Sequence, residues 1–474
     1  GDDTLTGGGG ADTYIFNAGD GHDTIADGDT SFLGAGFLTI GEDPDVLQFG
    51  AGIRSEDITF GRNGTSVDLI IGNSGDRVTL SGQDDYIYTG VFGNLSTSRV
   101  ELIRFADGTS WTWKDLNQRM IAAATTGGND YTLGTSTDDI FSASAGDDVL
   151  DGGDGNDTYA FGRGSGHDVI RDHVDNVLDG DDDRLVFGAG VSLSDLQFSR
   201  NGDDLIITIK DTGDSVRIEQ EFTWSAWFTW NDVETFSFAD GQQLTKADVQ
   251  RLLLKGTSGD DTLVGFSSED VLDGGAGNDI LNGGDGSDTY VFGRGYGNDT
   301  IIESVGYVLL GDEDKLVFGP GITADDIQLS RTGNDLTIGL KGTADSITIV
   351  GQFNMSAWFT WNDVESFVFA DGTVWSKNDV SAMLLRGSAG DDVMLGTSGN
   401  DYLNGGAGND ELRGGDGSDT YVFGRGYGHD SIFESVDYVL LGDDDQVVFN
   451  ADVSQADLLY TRDGDNLIVR IAGT

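Results

Sequence analysis

The chain has 474 residues, with 83 Asp and Glu against 26 Lys and Arg for a formal net charge of −57, and it holds 74 Gly, 2 Pro and no Cys. That anionic surplus excludes a nucleic-acid partner, the lack of Cys excludes disulfides, thiolate metal sites and cysteine nucleophiles, and no apolar run approaches the roughly 18 residues of a membrane span. Only 12 of the acids are Glu; an Asp and Gly excess belongs to turns, 37% hydrophobic residues leave material for a core, and a cation is expected to complete the fold.

Taken along the chain, residues 1–49 read as the end of a first repeat block, with Asp3 and Asp12 nine apart, a looser copy at Asp23, a local insertion before Asp45, and a close at Phe49. Residues 50–126 form a β-rich module. Residues 127–187 are the second block, with Asp130, Asp139, Asp148 and Asp157 spaced by nine, then Asp168 and Asp183 before Phe187. A module over 188–255 separates it from the third block, 256–318, which carries Asp261, Asp270, Asp279, Asp288, Asp299 and Asp314. After a module over 319–386, the fourth block, 387–449, repeats the pattern at Asp392, Asp401, Asp410, Asp419, Asp430 and Asp445, and residues 450–474 start another module. Phe187, Phe318 and Phe449 are 131 apart, so the long period is 131 residues. About three and a half units are present, and the sequence is expected to be a window on a longer chain.

The clearest nonamers are GGAGNDILN (274–282), GGDGSDTYV (283–291), GGAGNDELR (405–413) and GGDGSDTYV (414–422). Six residues of the form G-G-x-G-x-D can turn sharply because Gly accepts positive φ, and the other three make a very short strand with one apolar side chain inward. Two nonamers then make one coil, and stacked coils put each turn over the turn eighteen residues on. Asp130 meets Asp148, Asp139 meets Asp157, and the same holds for 261/279, 270/288, 392/410 and 401/419. The looser step gives pairs twenty apart at 3/23, 148/168, 279/299 and 410/430. Stacked carboxylates repel. A hard cation between them removes that penalty, and two carboxylates with backbone carbonyls near Gly152, Gly274, Gly283, Gly405 and Gly414 suit the flexible oxygen shell of Ca2+. A Gly/Asp-rich linker would need neither the strict phase nor the recurring apolar position.

Each module opens with an S/T-x-x-D step, at Ser192 to Asp195, Thr323 to Asp326 and Ser454 to Asp457, the shape of a capped helical turn. Hairpins are expected around Asn63-Gly64, Asn201-Gly202, Thr332-Gly333 and Asp463-Gly464, with Leu205, Ile207 and Ile209 on one face. Further turns follow at Asp107-Gly108, Asp240-Gly241 and Asp371-Gly372. Short helices close the modules in TWKDLNQRMI (112–121), TKADVQRLLLKG (245–256) and SKNDVSAMLLRG (376–387), with Thr245 and Ser376 as caps, Asp248 and Asp379 answering, and Gly256 and Gly387 as stops. Such a module should close one roll and seat the next. The aromatic segments 222–234 and 353–365 carry Trp227, Trp230, Trp358 and Trp361; core packing is the favoured reading, with sugar binding as the other.

The nonamers resemble the repeats of RTX (repeats-in-toxin, haemolysin-type) calcium-binding proteins, and the segments between resemble the haemolysin-type calcium-binding-related module. The resemblance covers essentially the whole chain. It implies a parallel β-roll, export in unfolded form through a type I channel of a Gram-negative bacterium, and folding on external calcium. The family spans pore-forming toxins, proteases, lipases, surface-layer proteins and giant adhesins. In the first turns GTSTDD (134–139), GFSSED (265–270) and GTSGND (396–401) the second Gly is replaced, so weaker or empty sites are expected there.

No H-E-x-x-H, G-x-S-x-G or G-x-x-x-x-G-K-[ST] occurs. His22, His167 and His429 share a slot that holds Asn298 in the third block, and His173 stands alone, so no catalysis is expected in this window. The expected fold is mainly all-β, with tandem parallel β-rolls alternating with small β-rich modules that each end in a short α-helix, as an elongated array. The expected function is that of a calcium-binding structural segment of a large secreted RTX protein, serving as stalk, adhesin or surface-layer-like array. The alternatives are an export-and-folding cassette of a toxin or hydrolase and a glycan-binding module. The expected partners are multiple calcium ions, with other copies of the chain or cell-surface glycans next.

Overall fold

The computed structural model describes residues 1–27, 44–72, 74–83, 87–88, 94–95, 99–135, 137–172, 182–223, 232–303, 313–354, 363–397, 399–434 and 444–473. The insertion before Asp45, His173, and Trp227, Trp230, Trp358 and Trp361 of the aromatic segments lie outside these. The chain divides into two compact units, Gly1–Val249 and Gln250–Thr474.

In the first unit, the nonamer phase becomes a pair of facing parallel sheets. Tyr131–Leu133, Val149–Asp151 and His167–Arg171 pair in order on one sheet, and Ile140–Ser142, Thr158–Phe161 and Arg184–Phe187 on the other. Ile140 pairs with Thr158, eighteen on, and Val149 pairs with Val169, twenty on, as the carboxylate spacing requires. Each three-residue strand turns one side chain inward. Phe141, Leu150, Tyr159, Ile170 and Leu185 are at most 2% exposed, while residues beside them, such as Ile140, remain open to solvent. One buried apolar side chain contributes about 1.5–3 kcal/mol, against about 1–2 kcal/mol of backbone entropy for every residue ordered. Coils this short do not hold themselves by apolar burial alone.

The module after the roll adds to the same two sheets. Ser215–Ile218 continues the first in parallel beside His167–Arg171, and the antiparallel strands Asp204–Ile209 and Leu196–Asn201 then close it. Thr235–Ser237 continues the second beside Arg184–Phe187 and is closed by Gln243–Thr245. Phe187, at the end of the roll, stacks on Phe238 of the module with centroids 4.9 Å apart. The leading repeat of the unit is built the same way, with Phe49 on Phe105 at 5.2 Å. In the second unit, Ser346–Ile349 and Ser366–Val368 extend the sheets of the third roll, and Phe318 stacks on Phe369 at 4.7 Å. Among the described residues the last roll has three strands on each sheet.

The hairpins form where expected, and the helix-stop reading of Gly256 and Gly387 needs correction. In the hairpins Asn63 pairs with Ser66, Asn201 with Asp204 and Thr332 with Asp335. The glycine therefore opens the two-residue loop, at φ +59° to +61° in Gly64, Gly202 and Gly333, the position where a II′ turn calls for Gly. The helices span Trp113–Ala124, Lys246–Leu253 and Lys377–Leu384. Thr112 with Asp115, Thr245 with Asp248 and Ser376 with Asp379 form reciprocal caps. Gly256 and Gly387 are not left-handed helix stops. Their N–H groups donate to Asp273 O at 2.7 Å and Asn404 O at 2.8 Å, which makes them the first residues of the next roll.

Two of the helices anchor the roll that comes after them. Asn117 Nδ2 donates to Thr135 Oγ1 at 3.1 Å and Gln118 Nε2 to Ile140 O at 2.8 Å. Leu385, at the end of the third helix, shares a core cluster with Met394, Leu403, Leu412 and Tyr421 of the last roll. Among the described residues no helix is long and apolar enough to cross a membrane.

Candidate metal sites

Every aspartate singled out by its spacing lies on a ladder along an edge of a roll. Up to the last Asp of a ladder, the backbone N–H donates to Oδ1 of the Asp one rung on: Asp130 to Asp148 at 2.9 Å and Asp148 to Asp168 at 3.0 Å on one edge, Asp139 to Asp157 at 2.8 Å and Asp157 to Asp183 at 2.6 Å on the other. The third roll repeats this from Asp261 to Asp279 to Asp299 and from Asp270 to Asp288 to Asp314. The fourth does so from Asp392 to Asp410 to Asp430 and from Asp401 to Asp419 to Asp445. The first roll keeps Asp3 to Asp23 and Asp12 to Asp45. The parallel register that stacks the strands thus stacks the carboxylates.

The second carboxylate oxygen separates the first turns from the inner ones. Thr126 N donates to Asp130 Oδ2 at 2.6 Å, Thr135 N to Asp139 Oδ2 at 2.6 Å, Thr257 N to Asp261 Oδ2 at 2.6 Å and Ser388 N to Asp392 Oδ2 at 2.6 Å. There a residue other than Gly stands second in the turn and folds its N–H onto the carboxylate. Inner turns of the third and fourth rolls hold Gly at that place with positive φ, as at Gly275 (+83°), Gly406 (+85°) and Gly415 (+101°), whereas in one inner turn of the second roll Ser144 stands there and its Oγ donates to Asp148 Oδ2 at 3.0 Å. In those turns Oδ2 of Asp279, Asp410 and Asp419 is buried with no hydrogen-bond partner, as it is in Asp168, Asp299 and Asp430 of the looser turns. The first glycine of the inner turns cannot be replaced either, since a Cβ on Gly274, Gly405 or Gly414 would run into the carboxylate of Asp279, Asp410 or Asp419.

Burial sets the electrostatics. It pushes Asp168 and Asp299 up to about 7, with the neighbouring rung adding to the rise, and Asp419 up to about 6. A buried, unpartnered carboxylate is costly. The donor set is carboxylate and carbonyl oxygen without Cys, and His22, His167 and His429 are exposed, so the residues fit a hard cation such as Ca2+. The inner pairs 148/168, 279/299 and 410/430, with their partners on the other edge, would hold it. Its chemistry there is charge neutralisation.

Sequence reasoning missed the ends of the ladders. Asp214 accepts from Gly164 N at 2.7 Å and Gly166 N at 3.2 Å, Asp345 from Gly295 N at 2.8 Å, and Asp76 from Gly19 N at 2.8 Å, and these bonds hold all three below the usual carboxylate range. On the other edge Glu101, Glu234 and Glu365 accept from Asp45 N, Asp183 N and Asp314 N at 2.6–2.8 Å. It also missed Asp27, Asp172, Glu303 and Glu434, which stand in register above Gly7, Gly152, Gly283 and Gly414. Their signal was the 131-residue spacing that joins Asp172, Glu303 and Glu434.

Comparison with known proteins agrees with this geometry. The RTX calcium-binding nonapeptide repeat (4 copies) matches residues 1–25, 133–167, 255–290 and 385–432. The haemolysin-type calcium binding protein related domain matches residues 69–115, 204–248 and 335–379, and the two together cover more than half of the chain. The iron-regulated protein FrpA of Neisseria meningitidis serogroup C is 31% identical over 104 residues, 22% of this chain and 9% of that protein. The match therefore spans under a tenth of that relative. Among solved structures, the extracellular lipase LipA from Serratia marcescens aligns with 50% of this chain and 39% of its own at 18% identity and a TM-score of 0.18, too low to carry an argument.

Proposed function

We propose that this chain, which belongs to the RTX calcium-binding repeat proteins and carries repeats that bind multiple Ca2+ ions, is a structural segment of a larger secreted protein that folds and stiffens on external calcium. Supporting this is the row of buried inner-rung carboxylates, each with one oxygen accepting from the N–H of the preceding rung and, at Asp168, Asp279, Asp299, Asp410, Asp419 and Asp430, one without a partner. At low calcium these anions repel and leave the chain unfolded and exportable. Outside, sites of the 10⁻⁴–10⁻³ M class fill, and each site at a hundred times its dissociation constant adds about 2.7 kcal/mol, so a few rungs match the whole stability of an ordinary domain. The task is mechanical and not catalytic. The carboxylates are committed to the ladders, and His22 and His167 bond Gly75 O and Ser215 Oγ beside them. A stalk, adhesin or surface-layer array is where such a segment serves. Stretching the chain between two handles tests this. Millimolar calcium should give a series of unfolding events that EGTA abolishes. Identical force-extension curves in calcium and EGTA would refute it.

A further inference from the structure

On one edge of every roll, the turn after that edge's last regular nonamer does not begin with glycine. The strand pairings place Asp27 over Gly7, Asp172 over Gly152, Glu303 over Gly283 and Glu434 over Gly414. A carboxylate thus stands where the regular turns expose only backbone. It comes close to the last two carboxylates of the ladder. In the first, second and fourth rolls, one oxygen from each of the three acids lies within 4.8 Å of the others.

A tyrosine joins the cluster from within the core. Tyr159 Oη donates to Asp172 Oδ1 at 3.1 Å, Tyr421 Oη donates to Glu434 and Tyr290 Oη to Glu303. In the fourth roll Asp419 is fully buried and its Oδ2 has no hydrogen-bond partner. A Cβ built on Gly414 would strike both that oxygen and Tyr421 Oη, so the unpartnered oxygen faces the hydroxyl that binds Glu434. The first roll repeats this, with Asp12 Oδ2 unpartnered and facing Tyr14 Oη across Gly7.

We propose that the first, second and fourth rolls each end in a three-carboxylate calcium site, formed in the fourth roll by Asp419, Glu434 and Asp445, and that it is a tighter class of site than the paired-Asp rungs. The added acid is Asp27 in the first roll and Asp172 in the second. Ligand charge sets calcium affinity. A pair of carboxylates is neutralised by one Ca2+, whereas a triad keeps one negative charge and attracts the ion more strongly. Tyrosine donates one hydrogen bond but brings no charge, so it cannot replace the cation.

The inference rests on calcium-linked folding, and one experiment separates the two. Calcium per chain is measured by equilibrium dialysis on the full chain, on Asp172→Asn and on Glu434→Gln. Each variant should lose one ion, drawn from the tightest class, and keep the wild-type circular dichroism at saturating calcium. Unchanged ion number and affinity in variants of a wild type that binds calcium overturn the triad alone, whereas a wild type that binds no calcium removes the wider reading with it. Should the variants not fold, terbium added to the wild type decides the matter. The first ions, one for each of these three sites, should show tyrosine-sensitised luminescence through the adjoining hydroxyl, and first ions that are dark overturn the proposal.

Discussion

Arg331, on a module hairpin, donates Nη1 to Leu395 O at 2.6 Å and Gly396 O at 3.0 Å in the opening turn of the following roll. Its Nε holds Gly333 O of its own hairpin at 2.8 Å, and its guanidinium lies 4.3 Å from the Phe353 ring centroid. Arg62 does the same for Leu133 O and Gly134 O at 2.9 and 2.6 Å. The planar fork suits two adjacent carbonyls, and it puts a fixed cation where a roll begins.

Arg331→Ala should therefore loosen the last roll. Hydrogen bonds to a charged group contribute about 1.5–3 kcal/mol, so calorimetry in calcium should show that roll melting several degrees earlier than in wild type. Arg331→Lys should recover only part, having lost the fork. An unaltered melting profile would mean that the contact adds nothing.

Within the third roll the two carboxylate environments can be ranked. Thr257 N and Oγ1 hold Oδ2 of Asp261, while Asp279 Oδ2 is unpartnered. Asp279→Asn should raise the calcium midpoint of folding roughly tenfold, equivalent to about 1.4 kcal/mol, and Asp261→Asn should raise it less. The opposite order, read by tryptophan fluorescence during calcium titration, would contradict the assignment of inner rungs as the stronger sites.

Burial pushes Asp168 and Asp299 up to about 7, Glu365 up to about 7 and Glu234 up to about 8, against about 3.9 and 4.3 in an unfolded chain. Between those limits the folded, calcium-free chain binds more protons than the unfolded one. Its stability therefore falls as pH rises from about 4 to about 8. In EGTA the chain should gain β structure as pH drops from 8 to 5. Protons then neutralise the same carboxylates that calcium meets, so the calcium midpoint of folding should fall over that descent. A midpoint that ignores pH would mean that these groups are not the ones calcium meets.

Leu385 belongs to the helix of one repeat and to the core of the next, beside Met394, Leu403, Leu412 and Tyr421. Leu385→Ala should cost about 2–5 kcal/mol, the range for truncating a buried Leu, and should raise the calcium needed to fold the last roll. Chemical denaturation at fixed calcium measures this. A loss well below that range would show that the helix does not seat the roll.

The ladder was legible because the nine-residue phase fixes strand register, and register fixes which carboxylates meet. Asp130 and Asp148 could be paired from numbering alone. The union of roll and module in shared sheets was not legible. His167 pairs with Ser215, forty-eight residues on, and an alternating strand carries no mark of so distant a neighbour. Gly256 read as a helix stop because Gly after a Leu run has that look, yet its backbone is already a rung of the next roll. Glu303 and Glu434 escaped notice because the ladder elsewhere uses Asp, and a longer acid outside the nonamer breaks the local pattern while keeping the long one.

Calcium titration of the metal-free chain, followed by far-ultraviolet circular dichroism and reversed with EGTA, tests the inter-rung cations most directly. Cooperative gain of β signal at sub-millimolar to millimolar calcium, lost again on chelation, is the predicted result. A chain that is equally folded before calcium and after EGTA would contradict it.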